Sequence, residues 1–168
     1  MEAVIGADNY GTKYLGPLQL SGAMSLNNPF GYNERLSAQL AVAPQPGENP
    51  ELAYLALGYS KALGSNGLRL DVDASHTDTS PGYTLKEFDV KGIARFFGIG
   101  LHYPLIRTRA TSLYTNITFD IRDVDTRNNI EDTRKDRIRA LRGGARFEHL
   151  DTVFGAGLNT ADFEVSQL

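Results

Sequence analysis

The sequence predicts an all-β chain, an antiparallel up-and-down meander of about nine strands whose two-faced pattern fits a half-buried sheet of a soluble protein or a transmembrane β-barrel. Three observations predict it. Segments of roughly ten residues alternate apolar and polar side chains, the period of a strand with two different faces. Clusters of Gly, Pro and Asn punctuate those segments at a spacing that suits strands. The connections alternate between compact and long, as they do in bacterial outer-membrane barrels.

Each element follows from the same alternation. Residues 3–8 make a short first strand. In the second, Leu18, Leu20, Gly22, Met24 and Leu26 oppose Gln19, Ser21, Ala23 and Ser25. The third sets Leu36, Ala38, Leu40 and Val42 against Arg35, Ser37, Gln39 and Ala41. The fourth sets Ala53, Leu55, Leu57 and Tyr59 against Tyr54, Ala56, Gly58 and Ser60. In the fifth, Leu68, Leu70, Val72 and Ala74 oppose Arg69, Asp71, Asp73 and Ser75. The sixth opposes Phe97, Ile99, Leu101 and Tyr103 to Phe96, Gly98, Gly100 and His102. The seventh opposes Leu113, Thr115, Ile117, Phe119 and Ile121 to Tyr114, Asn116, Thr118, Asp120 and Arg122. The eighth slips: Ile138 and Ala140 are out of phase with Leu141, Gly143, Ala145 and Phe147, so a bulge is expected near Ala140. In the last, over 161–167, Phe163 and Val165 oppose Asp162, Glu164 and Ser166. No segment sustains the 3.6-residue period of a helix.

"NNPFGYN", "GSNG" and "PLIRTR" read as compact turns; "PQPGENP", "TSPGYTLKEFDVKG" and "VDTRNNIEDTRKD" read as longer loops. Tyr10, Tyr14, Phe30, Tyr32, Tyr83, Tyr103 and Tyr114 lie near strand ends, where interfacial aromatic girdles are expected.

Composition narrows the classes. The chain has 168 residues, 41% hydrophobic and 22% charged, with a formal net charge of -3. That balance is neither that of a disordered segment nor that of a nucleic-acid binder. Mean hydropathy of -0.30 is compatible with a barrel, because alternating strands average out. No apolar run reaches the 18 or so residues of a spanning helix, and the N-terminus lacks the basic and apolar regions of a signal peptide. There is no cysteine, which excludes disulfides and thiolate metal sites.

The polar face carries the candidate functional residues: Arg69, Asp71, Asp73, Asn116, Asp120, Arg122, Arg142, Arg146 and Glu148 are expected to face a barrel lumen. Asp71 and Asp73 share a face, yet alternating lumen charge explains them without acid–base chemistry. The run "RKDRIRALRGGAR" reads as an outer loop leading into a strand, not as a nucleic-acid stripe, since no stacking aromatics accompany it. His76, His102 and His149 lack metal-ligand spacing. "GIGLHYPL" opens no helix and is no phosphate loop. "GYSKALG" lacks the spacing of a nucleophile elbow. No catalytic residue, cofactor or metal is expected.

Five stretches carry a resemblance: "DNYGTKYLGPLQLSGAMSLNNPFGYNERLS", "LALGYSKALGSNGLRLDVDASHT", "GLHYPLIRTRATSLYTNITFD", "DRIRALRGGARFEHLD" and "GLNTADFEVSQL". The chain resembles the barrel of two-partner secretion transporters, the haemolysin-activator and filamentous-haemagglutinin exporter family of the bacterial outer membrane. In that family a "DN-Y-G" opens the first hairpin, a "DNP-G" turn follows the second strand, and a "YPLIR-R" turn joins the sixth and seventh. The resemblance implies that the Leu18 face meets lipid. It also implies a barrel of about sixteen strands preceded by a plug helix and two POTRA domains that bind the exported partner. An Arg-Gly-Tyr-like loop needed for secretion is expected later in such a protein, and "LRGGAR" and "ALGYSK" lie in the wrong strands for it. Residues 1–168 are therefore expected to be one partial barrel domain, the N-terminal half, without POTRA domains.

The leading functional expectation is a structural part of a pore that secretes a large exoprotein, in contact with membrane lipid, with the polypeptide passing through the lumen and no nucleic acid bound. Another outer-membrane barrel, a porin or an assembly factor, is the alternative. A soluble lipocalin-like binding barrel is a third, disfavoured by the Asp, Arg, Ser and Gln of one face and by the absence of tryptophan. The first and last strands are expected to stay unpaired to each other, open or completed by another copy or a missing half. An odd strand count would otherwise need a parallel seam.

Overall fold

The computed structural model describes residues 1–129, 134–151 and 157–168. It is one nine-stranded sheet: β1 Glu2–Asp8, β2 Gln19–Asn27, β3 Glu34–Ala43, β4 Leu52–Leu63, β5 Leu68–Thr79, β6 Lys91–Arg107, β7 Thr111–Arg127, β8 Arg134–Asp151 and β9 Gly157–Gln167. The strand order is β1 through β9 in sequence, and every pairing is antiparallel. β1 pairs only with β2 and β9 only with β8, so the sheet is open, as the odd strand count predicts.

The register sorts the chain into two faces. Leu20, Leu40, Leu55 and Leu57 share one face, as do Val72, Ile99, Phe119 and Leu141 in the row Val72–Ile99–Phe119–Leu141. No described residue covers that face. Among the described residues the only buried hydrophobic side chains are Ala43 and Ala140, while Leu57 is 53% exposed and Ile117 60%. The accessible surface is 11833 Å². A compact protein of 18.4 kDa would expose about 8,200 Å². A sheet with this much bare leucine has no core of its own. Its apolar face needs another solvent or another layer.

The turns explain why neighbours pair. Between β2 and β3, the Glu34 carboxylate accepts hydrogen bonds from the Phe30 and Tyr32 backbone N–H groups at 2.5 and 2.8 Å, and the Asn33 N–H donates to Asn28 Oδ1 at 2.8 Å. Asn28, Gly31 and Asn33 all take positive φ there, which Asn and Gly tolerate best. The β4–β5 turn closes on Gly67 at φ +87°, and a Cβ at that position would lie 2.6 Å from Pro104 Cγ. On the opposite edge the longer loops bind one another. Gly82 N–H donates to the Tyr14 carbonyl, Ser80 N–H to that of Glu51 and Asn129 N–H to that of Phe88. The Tyr14 and Tyr83 rings meet edge-on at 5.9 Å, with Lys13 Nζ 4.2 Å above Tyr83.

The β5–β6 loop holds one short 3₁₀ helix, Tyr83–Phe88. Several expectations need correction. "RKDRIRALRGGAR" is not a loop: all of it lies in β8. Likewise Val124–Arg127 and Arg134–Asp136 of "VDTRNNIEDTRKD" are paired, Thr126 with Arg134, and residues 130–133 lie outside the described ones. The strands run past the apolar band, so polarity marks the band's edge and not the strand's end. No bulge occurs near Ala140. The β7–β8 ladder is continuous from Thr111 to Thr126; Ile138 simply turns to the polar face opposite Arg122, and Ala140 opposite Asp120. The register shift lies in β6, between Pro104 and Ile106. Pro104 has no N–H to give the ladder, so the interruption costs little there. Tyr114 does not belong to a girdle: it shares the polar face with Asn116, opposite Arg146.

Candidate transport-path face

All nine predicted residues fall on the face opposite the leucines. Arg69 pairs with His102, Asp71 with Gly100, and Asp73 with Gly98. Asp120 faces Gly98 and Ala140, Arg122 faces Phe96 and Ile138, and Asn116 faces His102 and Gly144. Arg142, Arg146 and Glu148 face Ser166, Asp162 and Thr160 on β9.

They form small charge-matched groups. Arg69 Nε is 2.9 Å from Asp71 Oδ2, and His102 Nε2 approaches the same oxygen at 3.1 Å. Arg142 pairs with Asp120. Arg146 Nε donates to Asp162 Oδ1 at 2.6 Å. The Arg122 guanidinium lies 5.8 Å from the Phe96 ring centroid, a cation–π contact. Asp73, Asn116 and Glu148 share the face without joining these ion pairs.

Glycine makes room for the larger groups. A Cβ at Gly98 would come within 3.0 Å of Phe96 Cζ and 3.1 Å of Asp120 Oδ1. Phe96 and Asp120 therefore use the space that glycine leaves beside its backbone. The sequence reasoning did not single out His102 or Asp162 as candidates, although the alternation had placed both on this face. What it lacked was the register that sets His102 beside Arg69 and Asp162 beside Arg146.

Chemically, the face is polar, mixed in sign and ion-paired. Its opposite is uncharged over a band. On β7 the outward residues from Leu113 to Ile121 carry no charge. That is nine residues, about 27 Å along the strand at 3.4 Å per residue. Tilted by about 40°, it spans about 21 Å, close to the apolar band of a membrane barrel.

Comparison with known proteins matches this geometry. Residues 1–167 match the profile of the haemolysin secretion/activation proteins ShlB/FhaC/HecB. The heme/hemopexin transporter protein HuxB of Haemophilus influenzae is 26% identical over 141 residues, covering 83% of this chain and 24% of that protein. Among solved structures, CdiB from Escherichia coli superposes over 98% of this chain and 30% of its own, with a TM-score of 0.79 at 18% identity. The chain thus spans about a quarter of the curated relative's length. By the profile that spans it, this chain belongs to the haemolysin secretion/activation family.

Proposed function

We propose that this sheet is the lipid-facing wall and part of the lumen lining of an outer-membrane pore that secretes a large exoprotein of haemolysin or adhesin type. One observation carries the reading. A single open sheet has one face with an uncharged band across all nine strands and a charge-matched polar face behind it. Lipid solvates the first, where it satisfies the exposed Leu, Ile and Phe, and closure with further strands would turn the second into a water-filled lumen. Arg69, Asp71, Asp73, Asn116, Asp120, Arg122, Arg142, Arg146 and Glu148 would then line the path. Their mixed sign suits an unfolded polypeptide of mixed charge better than one ion class, and the reading involves no catalysis and no cofactor. POTRA domains elsewhere in the protein would receive the exported partner.

The test uses photo-crosslinking residues placed singly in the complete transporter during export. Positions 73, 120 and 142 should capture the exported partner in transit, and positions 99 and 119 should not. Capture from positions 99 and 119 alone would refute the assignment of the path.

A further inference from the structure

Beyond the apolar band the outward face changes character at one end. On β6 the band stops at Phe97 and Arg95 follows. On β7 it stops at Ile121, followed by Asp123. On β8 it stops at Leu141, followed by Arg139 and Arg137. His76, Arg95, Asp123 and Arg137 form one cross-strand row. Arg139 Nη1 reaches Asp123 Oδ1 at 2.7 Å, and all three guanidinium groups act on that carboxylate. Three cations around one anion leave two positive charges. Among the described residues the acids farther out do not cancel them. His76 Nε2 is 2.9 Å from Asp78, Lys91 holds Asp89 at 3.0 Å and Asp125 faces Lys135, while Arg127, opposite Lys91, adds a further cation on the same face.

The opposite end has no counterpart. There the outward charged residues of the described strands are Glu34, Lys61 and Asp151, with no arginine. The arginine-rich end is the one with the long loops. Arg95, Arg137 and Arg139 are exposed and point the same way as the leucines, so they meet whatever borders the hydrocarbon. A guanidinium presents a planar fork of donors that matches phosphate oxygens two at a time. Basic clusters just outside a hydrocarbon band recognise anionic headgroups.

We infer that Arg95, Arg137 and Arg139 form a binding site for phosphate-bearing lipid headgroups in the leaflet on the long-loop side. The inference rests on the membrane reading above. The test uses the complete protein in mixed micelles and vesicles, with phosphatidic acid as the probe and diacylglycerol, the same lipid without phosphate, as its control. Native mass spectrometry should show phosphatidic acid retained at least about tenfold over diacylglycerol, the size of effect expected of charge-assisted hydrogen bonds. The triple variant R95Q/R137Q/R139Q should lose most of that preference, and R95K/R137K/R139K should keep part of it. Equal retention of both lipids by the unaltered protein would overturn the inference, and needs no variant. So would an unchanged preference in the glutamine variant. Inorganic phosphate that displaces phosphatidic acid at equal concentration would show a free-phosphate site and overturn the lipid source. A protein that fails to enter vesicles of either composition would instead defeat the membrane reading itself, whereas insertion without headgroup preference would defeat only this inference.

Discussion

Val72→Arg measures how the apolar face is solvated. Val72 lies between Tyr59 on β4 and Ile99 on β6, in a row of apolar side chains that continues through Phe119 to Leu141. If lipid covers this row, an arginine near the midplane costs about 2–4 kcal/mol. At about 1.4 kcal/mol per factor of ten, that is roughly a 30- to 700-fold loss in the folding equilibrium. If water covers it, a surface substitution should change stability by no more than about 0.5 kcal/mol. Asp73 is the next residue and points the other way, so Asp73→Asn is the matched control, expected within about 0.5 kcal/mol of the unaltered protein. The assay is a pair of urea titrations of the complete protein refolded in lipid vesicles. Equal penalties, or a larger one for Asp73→Asn, would refute the assignment of faces.

Other outcomes follow from the same geometry. Gly98→Leu should cost about 1–3 kcal/mol by overpacking against Phe96 and Asp120, read as a lower urea midpoint; an unchanged midpoint would contradict the close packing of the polar face. The isolated chain, with its two open edges and bare leucine face, should self-associate in water without detergent, and a monomer in light scattering would count against that. Expressed alone in cells lacking the intact transporter, the chain should secrete no partner, and partner protein in the medium would show that this sheet suffices.

Much of this fold was legible in the chain because a strand with two different solvents writes its period directly into the sequence. Leu36 to Val42 and Ile117 to Ile121 needed only alternation to be placed. Where polarity stopped reporting on pairing, the reading failed. Ile138 looked like a phase slip because β8 continues above the band, where an apolar residue can turn inward and Arg139 outward without leaving the ladder. The shift beside Leu105 left no mark of its own, since Pro104 both removes a ladder donor and resembles an ordinary turn residue. The candidate residues were placed on the right face but not in the right company. The Arg146–Asp162 pair joins residues 16 apart, and the Arg69–Asp71–His102 group spans β5 and β6. Such partners are set by cross-strand register, which the turns fix and which a single strand's pattern does not contain.

The central claim is that one solvent lies on each side of this sheet. The chain has no cysteine, so, with any cysteine elsewhere in the complete protein replaced, single cysteines placed in turn at positions 117 to 122 of β7 report each site alone. In the complete transporter embedded in outer membranes, a water-soluble thiol reagent should label Thr118→Cys, Asp120→Cys and Arg122→Cys. It should spare Ile117→Cys, Phe119→Cys and Ile121→Cys, which should react instead with a reagent dissolved in the lipid. Labelling of all six positions from water, or an alternation of the opposite phase, would contradict the account.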